Sequence, residues 1–145
     1  MTMSTVAETA QKPNCIFCKI IRKDVSSNIL HEDDKFLVFP DHRPAATHHY
    51  LVIPRQHIRE VRDLNKSDVS MVREMEEVGL AVLDKQGGER DSAVTGFHWP
   101  IHTVGHLHMH VMAGVSGGVW NKIAFSSYFF GTTEQAIQMM EKKTE

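Results

Sequence analysis

The stretch His106-Leu107-His108-Met109-His110-Val111-Met112-Ala113 alternates imidazole and apolar side chains from His106 through Val111. Successive side chains of a strand point to opposite faces, so a period of two is the signature of a strand. The spacing predicts a strand over 106–113, with Leu107, Met109 and Val111 on the face that packs into the core. His106, His108 and His110 then share the other face. Buried imidazoles have to be satisfied by partners, water or a ligand. Three readings compete. One is a row of half-exposed polar residues on a sheet. Another is a single metal held by all three; the outer pair would lie about 13 Å apart along a strand. Metal–nitrogen bonds are only about 2.0–2.1 Å, so that reading needs a sharply bent strand. The third is nucleophilic catalysis. Imidazole is a good nucleophile near neutral pH when one nitrogen is bare and the other N–H is held by an acceptor. Neighbouring histidines then stabilise charge on phosphoryl oxygens. The third reading makes His108 a nucleophile flanked by helpers.

Outward from that strand, the pattern is of short strands and few helices. Apolar residues between Cys15 and Arg22 fall in a helical stripe. Asn28 to Glu32 and Phe36 to Phe39 read as strands, with His31-Glu32-Asp33-Asp34 as the turn between them, and Tyr50 to Ile53 as a strand stopped by Pro54. Ser67 is a candidate N-cap for the long helix marked by Val69, Val72, Met75, Val82 and Leu83 and ended by Gly87-Gly88. Val94 to His98 reads as a strand, Trp99 to Gly105 as a loop, Gly114 to Gly118 as a flexible segment and Thr133 to Lys143 as a closing helix. Short links between strands favour an antiparallel sheet in an α+β domain. Residues 1–13 are small and polar and read as a loose arm, leaving 14–145 as a single domain. No apolar run has signal or membrane length, so the cytoplasm is the expected location, with entry to the nucleus by diffusion open to a chain of 145 residues. A formal net charge of -2 supplies no global basic field to recruit nucleic acid, while leaving room for a local pocket for a small anion.

With these residues in place, a family resemblance follows. His106-Leu107-His108-Met109-His110-Val111-Met112 resembles the histidine triad motif, in which three histidines alternate with apolar residues. Cys15-Ile16-Phe17-Cys18-Lys19-Ile20-Ile21 is similar to the family's opening helix. Asp41 follows Phe39-Pro40 as the family's ribose-binding aspartate does, and His49-Tyr50-Leu51-Val52-Ile53-Pro54-Arg55-Gln56-His57 is similar to its H-x-L-V-I-P-x-x-H strand. The four stretches occur in the family's order over residues 14–113. The resemblance implies the histidine triad fold, a five-stranded antiparallel sheet with one long helix and shorter terminal helices, and a homodimer. It implies a nucleotide hydrolase of the Hint type, releasing AMP from phosphoramidates or acyl and aminoacyl adenylates, with no cofactor for catalysis. His108 would be the nucleophile, His110 and Thr103 would contact the phosphate, and His106 would support the triad. Asp41 would hold the ribose, His42 and His49 would lie near the nucleotide, and Ile16, Phe17, Ile20, Phe39 and Leu51 would line the base pocket. Those five apolar residues read equally as ordinary core.

Where the common Hint pattern has an Asn and a Gly-Gly-Gln-Ser stretch, this chain has Gly96-Phe97-His98-Trp99-Pro100-Ile101-His102-Thr103-Val104-Gly105. Together with Ala45-Ala46-Thr47-His48-His49-Tyr50, that start is similar to the third Hint branch and to aprataxin, and His98 stands as a candidate replacement for the Asn. The alternatives to phosphoramidate hydrolysis are aprataxin-like removal of AMP from nucleic-acid ends, which would want a basic track, and nucleotide binding for regulation with little turnover. Cys15 and Cys18 could be inert core thiols, a redox pair or zinc ligands; a thioredoxin-like setting would need a βαβ unit that the pattern lacks. The resemblance implies a structural zinc on Cys15, Cys18, His57 and His106.

Overall fold

The computed structural model describes residues 12–99, 104–115 and 129–143. In chain order these form helix α1 (Ile16–Ile21), strands β1 (His31–Glu32), β2 (Phe36–Pro40) and β3 (Ala46–Pro54), helix α2 (Val69–Lys85), strands β4 (Val94–His98), β5 (Met109–Val115) and β6 (Phe130–Thr132), and helix α3 (Thr133–Glu141). Every strand pair is antiparallel, in the spatial order β1-β2-β3-β5-β4-β6. The expected α+β fold is present, with one long helix and short helices near the ends. The sheet has six strands among the described residues where five were expected. The sixth, β6, is a three-residue strand too short to show alternation. Its Gly131 lies under Trp99, so that a Cβ there would meet the indole ring at 1.8 Å, and a Cβ on Gly96 would meet the Gly131 carbonyl at 2.2 Å. Two glycines thus permit the close pairing of β4 with β6.

Alternation along the central strands splits the core in two. Val38, Tyr50, Val52, Met109 and Val111 point to the side covered by α2, and Gly79 lets that helix approach so closely that a Cβ would lie 2.6 Å from Val111. Leu37, Phe39, Leu51 and Ile53 point to the other side and pack with Phe17, Ile20 and Ile21 of α1. The register Leu51↔His110 and Val52↔Met109 puts the histidines on the α1 side and their apolar neighbours on the α2 side. Both faces of β5 are therefore covered.

Several boundaries differ from the sequence reading. The strand predicted over 106–113 is assigned from Met109 to Val115. The ladder with β3 ends at Val52↔Met109, and the residues before Met109 bond to the loop beyond β3: the Leu107 N–H donates to the Ile58 carbonyl at 2.6 Å. Facing alternates nonetheless, with Leu107 in the α2-side core and His106 and His108 against Phe17. The cap lies two residues earlier than predicted: Asn65 rather than Ser67 is the capping residue, accepting the Ser67 N–H, and a 3₁₀ turn at Lys66–Asp68 leads into Val69. The strand expected from Asn28 is reduced to His31–Glu32, and Asp33 closes the next turn by accepting the N–H groups of Lys35 and Phe36. Residues 1–11 of the expected arm, Thr103 of the expected phosphate site and most of the expected flexible segment after Gly114 lie outside the described residues, while the last two residues of that arm are tied down: the Lys12 N–H donates to Cys18 Sγ, and Arg22 donates to the Lys12 and Pro13 carbonyls. No helix among the described residues is long and apolar enough to cross a membrane.

Candidate active site and a cysteine–histidine cluster

His108 precedes β5, buried to 7% exposure, with the Phe17 ring edge-on at 5.2 Å. Its Nδ1 lies 2.7 Å from the carbonyl oxygen of His106. A carbonyl only accepts, so an imidazole proton resides on Nδ1, and in the neutral ring Nε2 is then bare. That is the protonation state a nucleophilic imidazole needs.

His110 stands in a directed row. The main-chain N–H of Ala45 donates to His49 Nδ1 at 2.9 Å. An amide can only donate, so the His49 proton sits on Nε2, which lies 2.8 Å from His110 Nδ1. The His110 proton is then on Nε2, 3.0 Å from His98 Nδ1. One backbone amide thus sets the tautomers of three histidines in turn. Burial, ahead of the surrounding charges, pushes His110 well below the usual histidine value and lowers His49, whose Asp41 neighbour opposes the shift. His49 and His110, both held below the ordinary histidine value, present N–H dipoles rather than full charges.

Asp41 adjoins this row. Its Oδ2 is 3.3 Å from His49 Nε2, and its Oδ1 accepts the Arg43 N–H at 2.9 Å. Phe17, Ile20, Phe39 and Leu51 come together in the α1-side cluster, as expected of a shared apolar surface, while Ile16 is on its rim at 41% exposure. His42 is not gathered in: its side chain is 86% exposed and its Nδ1 is 3.8 Å from Asp41.

A second cluster lies behind the first. The ligand atoms of Cys15, Cys18, His57 and His106 all fall within 4.8 Å of one another. His106 Nδ1 is 3.4 Å from Cys15 Sγ and 3.5 Å from Cys18 Sγ, and His57 Nδ1 is 3.3 Å from Cys18 Sγ. His106 Nε2 donates to the Pro54 carbonyl at 2.9 Å, so Nδ1 is the bare nitrogen and faces the sulfurs. Burial pushes the Cys18 thiol up to about 11 and His106 down to about 4. Neither group is comfortable charged in the absence of a cation.

Sequence reasoning missed the residues around a small recess beside His108 and His98, whose wall includes Arg59, Glu60, Phe97 and Val104. Arg59 and Glu60 sit in an irregular segment with no periodic signal. The one available hint was a pair of opposite charges directly after the H-x-L-V-I-P-x-x-H stretch.

This geometry agrees with what comparison with known proteins finds. Residues 14–124 match the family described as Scavenger mRNA decapping enzyme C-term binding. The chain belongs to the histidine triad superfamily. It is 37% identical over 134 residues to adenosine 5'-monophosphoramidase HINT3 of Xenopus tropicalis, covering 88% of each chain. It is 41% identical over 116 residues to the bifunctional adenosine 5'-phosphosulfate phosphorylase/adenylylsulfatase HINT4 of Arabidopsis thaliana, covering 78% of this chain and 79% of that one. Among solved structures, a histidine triad family hydrolase from Clostridium thermocellum superposes with a TM-score of 0.68 at 32% identity, over 74% of this chain and 96% of that one. The protein is a histidine triad hydrolase.

The lowered values of His49 and His110 make a testable statement about stability. Because the fold holds His49 and His110 below the usual value of 6.5, the unfolded chain takes up protons that the folded chain refuses once the pH falls under that value. Stability is complete above about pH 6.5 and is lost below it, by up to about 1.4 kcal/mol per pH unit for each histidine. Urea unfolding of wild type and His110→Asn between pH 7 and 5 checks this: the variant's slope should be shallower by about one histidine, and equal slopes would contradict the assignment.

Proposed function

We propose that this histidine triad hydrolase cleaves adenosine 5'-phosphoramidates and acyl or aminoacyl adenylates to AMP through a nucleotidyl–His108 intermediate. The observation that carries this reading is the 2.7 Å contact from His108 Nδ1 to the His106 carbonyl, which directs the bare Nε2 away from the main chain. The named activities of the relatives, one a phosphoramidase and one an adenylylsulfatase, share a bond broken at the phosphorus of an adenylate.

In this mechanism His108 Nε2 forms a bond to the α-phosphorus and the bond from phosphorus to the leaving group breaks. An amine leaves with the bonding electron pair and acquires a proton. Water then attacks the phosphorus, releasing AMP and restoring the imidazole. His98, at the end of the row that runs from His49 through His110, supplies an N–H donor to the phosphoryl oxygens, and His110 shares its Nε2–H between His98 and the same oxygens, where fixed dipoles in a dry site are most effective. His98 here takes the place the resemblance gives to an Asn, and Thr103 would add a hydroxyl. Asp41 serves the ribose end, and the apolar surface of Ile16, Phe17, Ile20, Phe39 and Leu51 takes the base. The same reading brings a homodimer and a cytoplasmic location.

We further propose that Cys15, Cys18, His57 and His106 hold a structural zinc. A tetrahedral ion with Zn–S about 2.3 Å and Zn–N about 2.0–2.1 Å sets sulfur and nitrogen ligands about 3.5 Å apart. The sulfur–nitrogen separations of 3.3, 3.4 and 3.5 Å match that spacing. The Pro54 carbonyl acts as the outer partner that orients a ligating histidine. Such an ion would join α1 to the chain just before His108 and bear no part in the reaction.

Two measurements test these assignments. Mixing with an adenosine phosphoramidate and quenching should show by mass spectrometry an AMP adduct on the peptide carrying His108. His108→Ala should lose the adduct and at least about a thousandfold in kcat. Near-normal turnover by the variant would reject the mechanism. Elemental analysis should find about one zinc per chain, absent from Cys15→Ala, whose Tm should fall by about 10 °C or more; metal-free wild type of unchanged stability would reject the zinc.

A further inference from the structure

Asp41, which the proposed mechanism assigns to the ribose, also faces the row behind the phosphoryl group. Its Oδ2 lies 3.3 Å from His49 Nε2 and 3.9 Å from His110 Nδ1. The carboxylate is set there by the main chain. The Asp41 N–H donates to the His49 carbonyl at 3.0 Å just past the end of β2, and Oδ1 accepts the Arg43 N–H at 2.9 Å. The side chains of Asp41 and His49 are 13% and 1% exposed, so little water screens one from the other. A carboxylate offers about four acceptor sites. The Arg43 N–H takes one and His49 faces another, which leaves room for ribose hydroxyls beside this second contact.

The contact bears on a choice of tautomer. A negative charge beside a ring nitrogen favours the form in which that nitrogen carries hydrogen and opposes the form that presents a lone pair. At His49 the carboxylate therefore favours the proton on Nε2, and it offsets part of the burial that lowers this ring. The Ala45 amide enforces the same choice from Nδ1. The rest of the row follows from it: His49 Nε2 meets His110 Nδ1 at 2.8 Å, and His110 Nε2 meets His98 Nδ1 at 3.0 Å. With the His49 proton on Nδ1 instead, both later rings would turn their N–H groups backward and their lone pairs toward the phosphoryl oxygens. A row reversed in that way repels the charge it has to stabilise.

We propose that Asp41 is a positioning residue for the chemical step as well as a ribose acceptor: acting through His49, its charge keeps the N–H groups of the row pointed at the phosphoryl oxygens. The inference rests on the reading of His108 as the nucleophile of adenylate cleavage. It adds that the aspartate at the ribose end contributes to kcat even where it has no ribose hydroxyl to hold.

The test uses adenosine 5'-phosphoramidate and its 2',3'-dideoxy analogue, which lacks the ribose hydroxyls. Wild type, Asp41→Asn and Asp41→Ala are assayed on both. The variants should lose about tenfold or more in kcat on either substrate, while KM rises only for the substrate that has hydroxyls. A ribose role alone predicts variants equal to wild type in kcat on the dideoxy substrate, and that result would overturn the inference. The ligand-free proteins give a second readout that needs no turnover. In ¹⁵N-labelled Asp41→Asn, shown to be folded by unchanged core methyl resonances, the Nε2 resonance of His49 should shift while that of His106 stays. Unmoved His49 ring resonances would equally overturn the inference, and they decide the matter if the dideoxy compound is too poor a substrate to measure. Wild type that fails to turn over the adenosine substrate itself would overturn the reading of the site as a hydrolase of adenylates, and this inference with it.

Discussion

The hydrogen bond from His108 Nδ1 to the carbonyl oxygen of His106 is the constraint on which the site depends. Imidazole has two nitrogens, and without a fixed acceptor its proton is free to occupy either. The acceptor here is main chain, two residues back on the same segment, and is itself fixed from three directions. Leu107 N–H is bonded to Ile58, the His106 ring is bonded to Pro54, and Leu107 is buried in the α2-side core. The peptide that accepts the proton therefore cannot turn away without breaking the loop that follows β3.

The two histidine clusters solve one problem in two ways. Strand alternation delivers a line of imidazoles to the α1 side of the sheet, where water is excluded and an unpaired polar group is costly. At the far end, His110 is satisfied by other histidines in a row whose direction is set by the Ala45 amide. At the near end, His106 faces two sulfurs and a second imidazole, an arrangement whose groups are all donors to a cation. Phe17 touches both His106 and His108, so the helix that carries the cysteines is also the wall of the active site. The proposed metal at one cluster and the position of His108 at the other would both depend on the docking of α1.

The sequence made much of this legible because alternation is local. The facing of His106, His108 and His110 followed from a period of two and the long helix from one of 3.6, while the strand over Tyr50 to Ile53 was marked by an apolar run stopped by Pro54. The grouping of Phe17, Ile20, Phe39 and Leu51 followed from resemblance, since those residues are scattered and only pairing of β2 with β3 gathers them. What stayed hidden depends on contacts between segments. Burial of both faces of β5 requires knowing that α1 folds over the histidines. The row from Ala45 to His98 requires the register of three strands. β6 owes its place to two glycines and the Trp99 ring rather than to any pattern of its own. His42, beside Asp41 in sequence, points to solvent because it follows the end of a strand at a turn set by the Asp41 carboxylate.

The most direct measurement of the account is the tautomer of each histidine ring at pH 7, read from long-range proton–nitrogen NMR correlations of the ¹⁵N-labelled protein. His108 should be neutral with its proton on Nδ1 and a bare Nε2, while His49 and His110 carry theirs on Nε2. A proton on His108 Nε2, or a fully protonated His108 ring at that pH, would contradict the claim that the His106 carbonyl prepares the nucleophile.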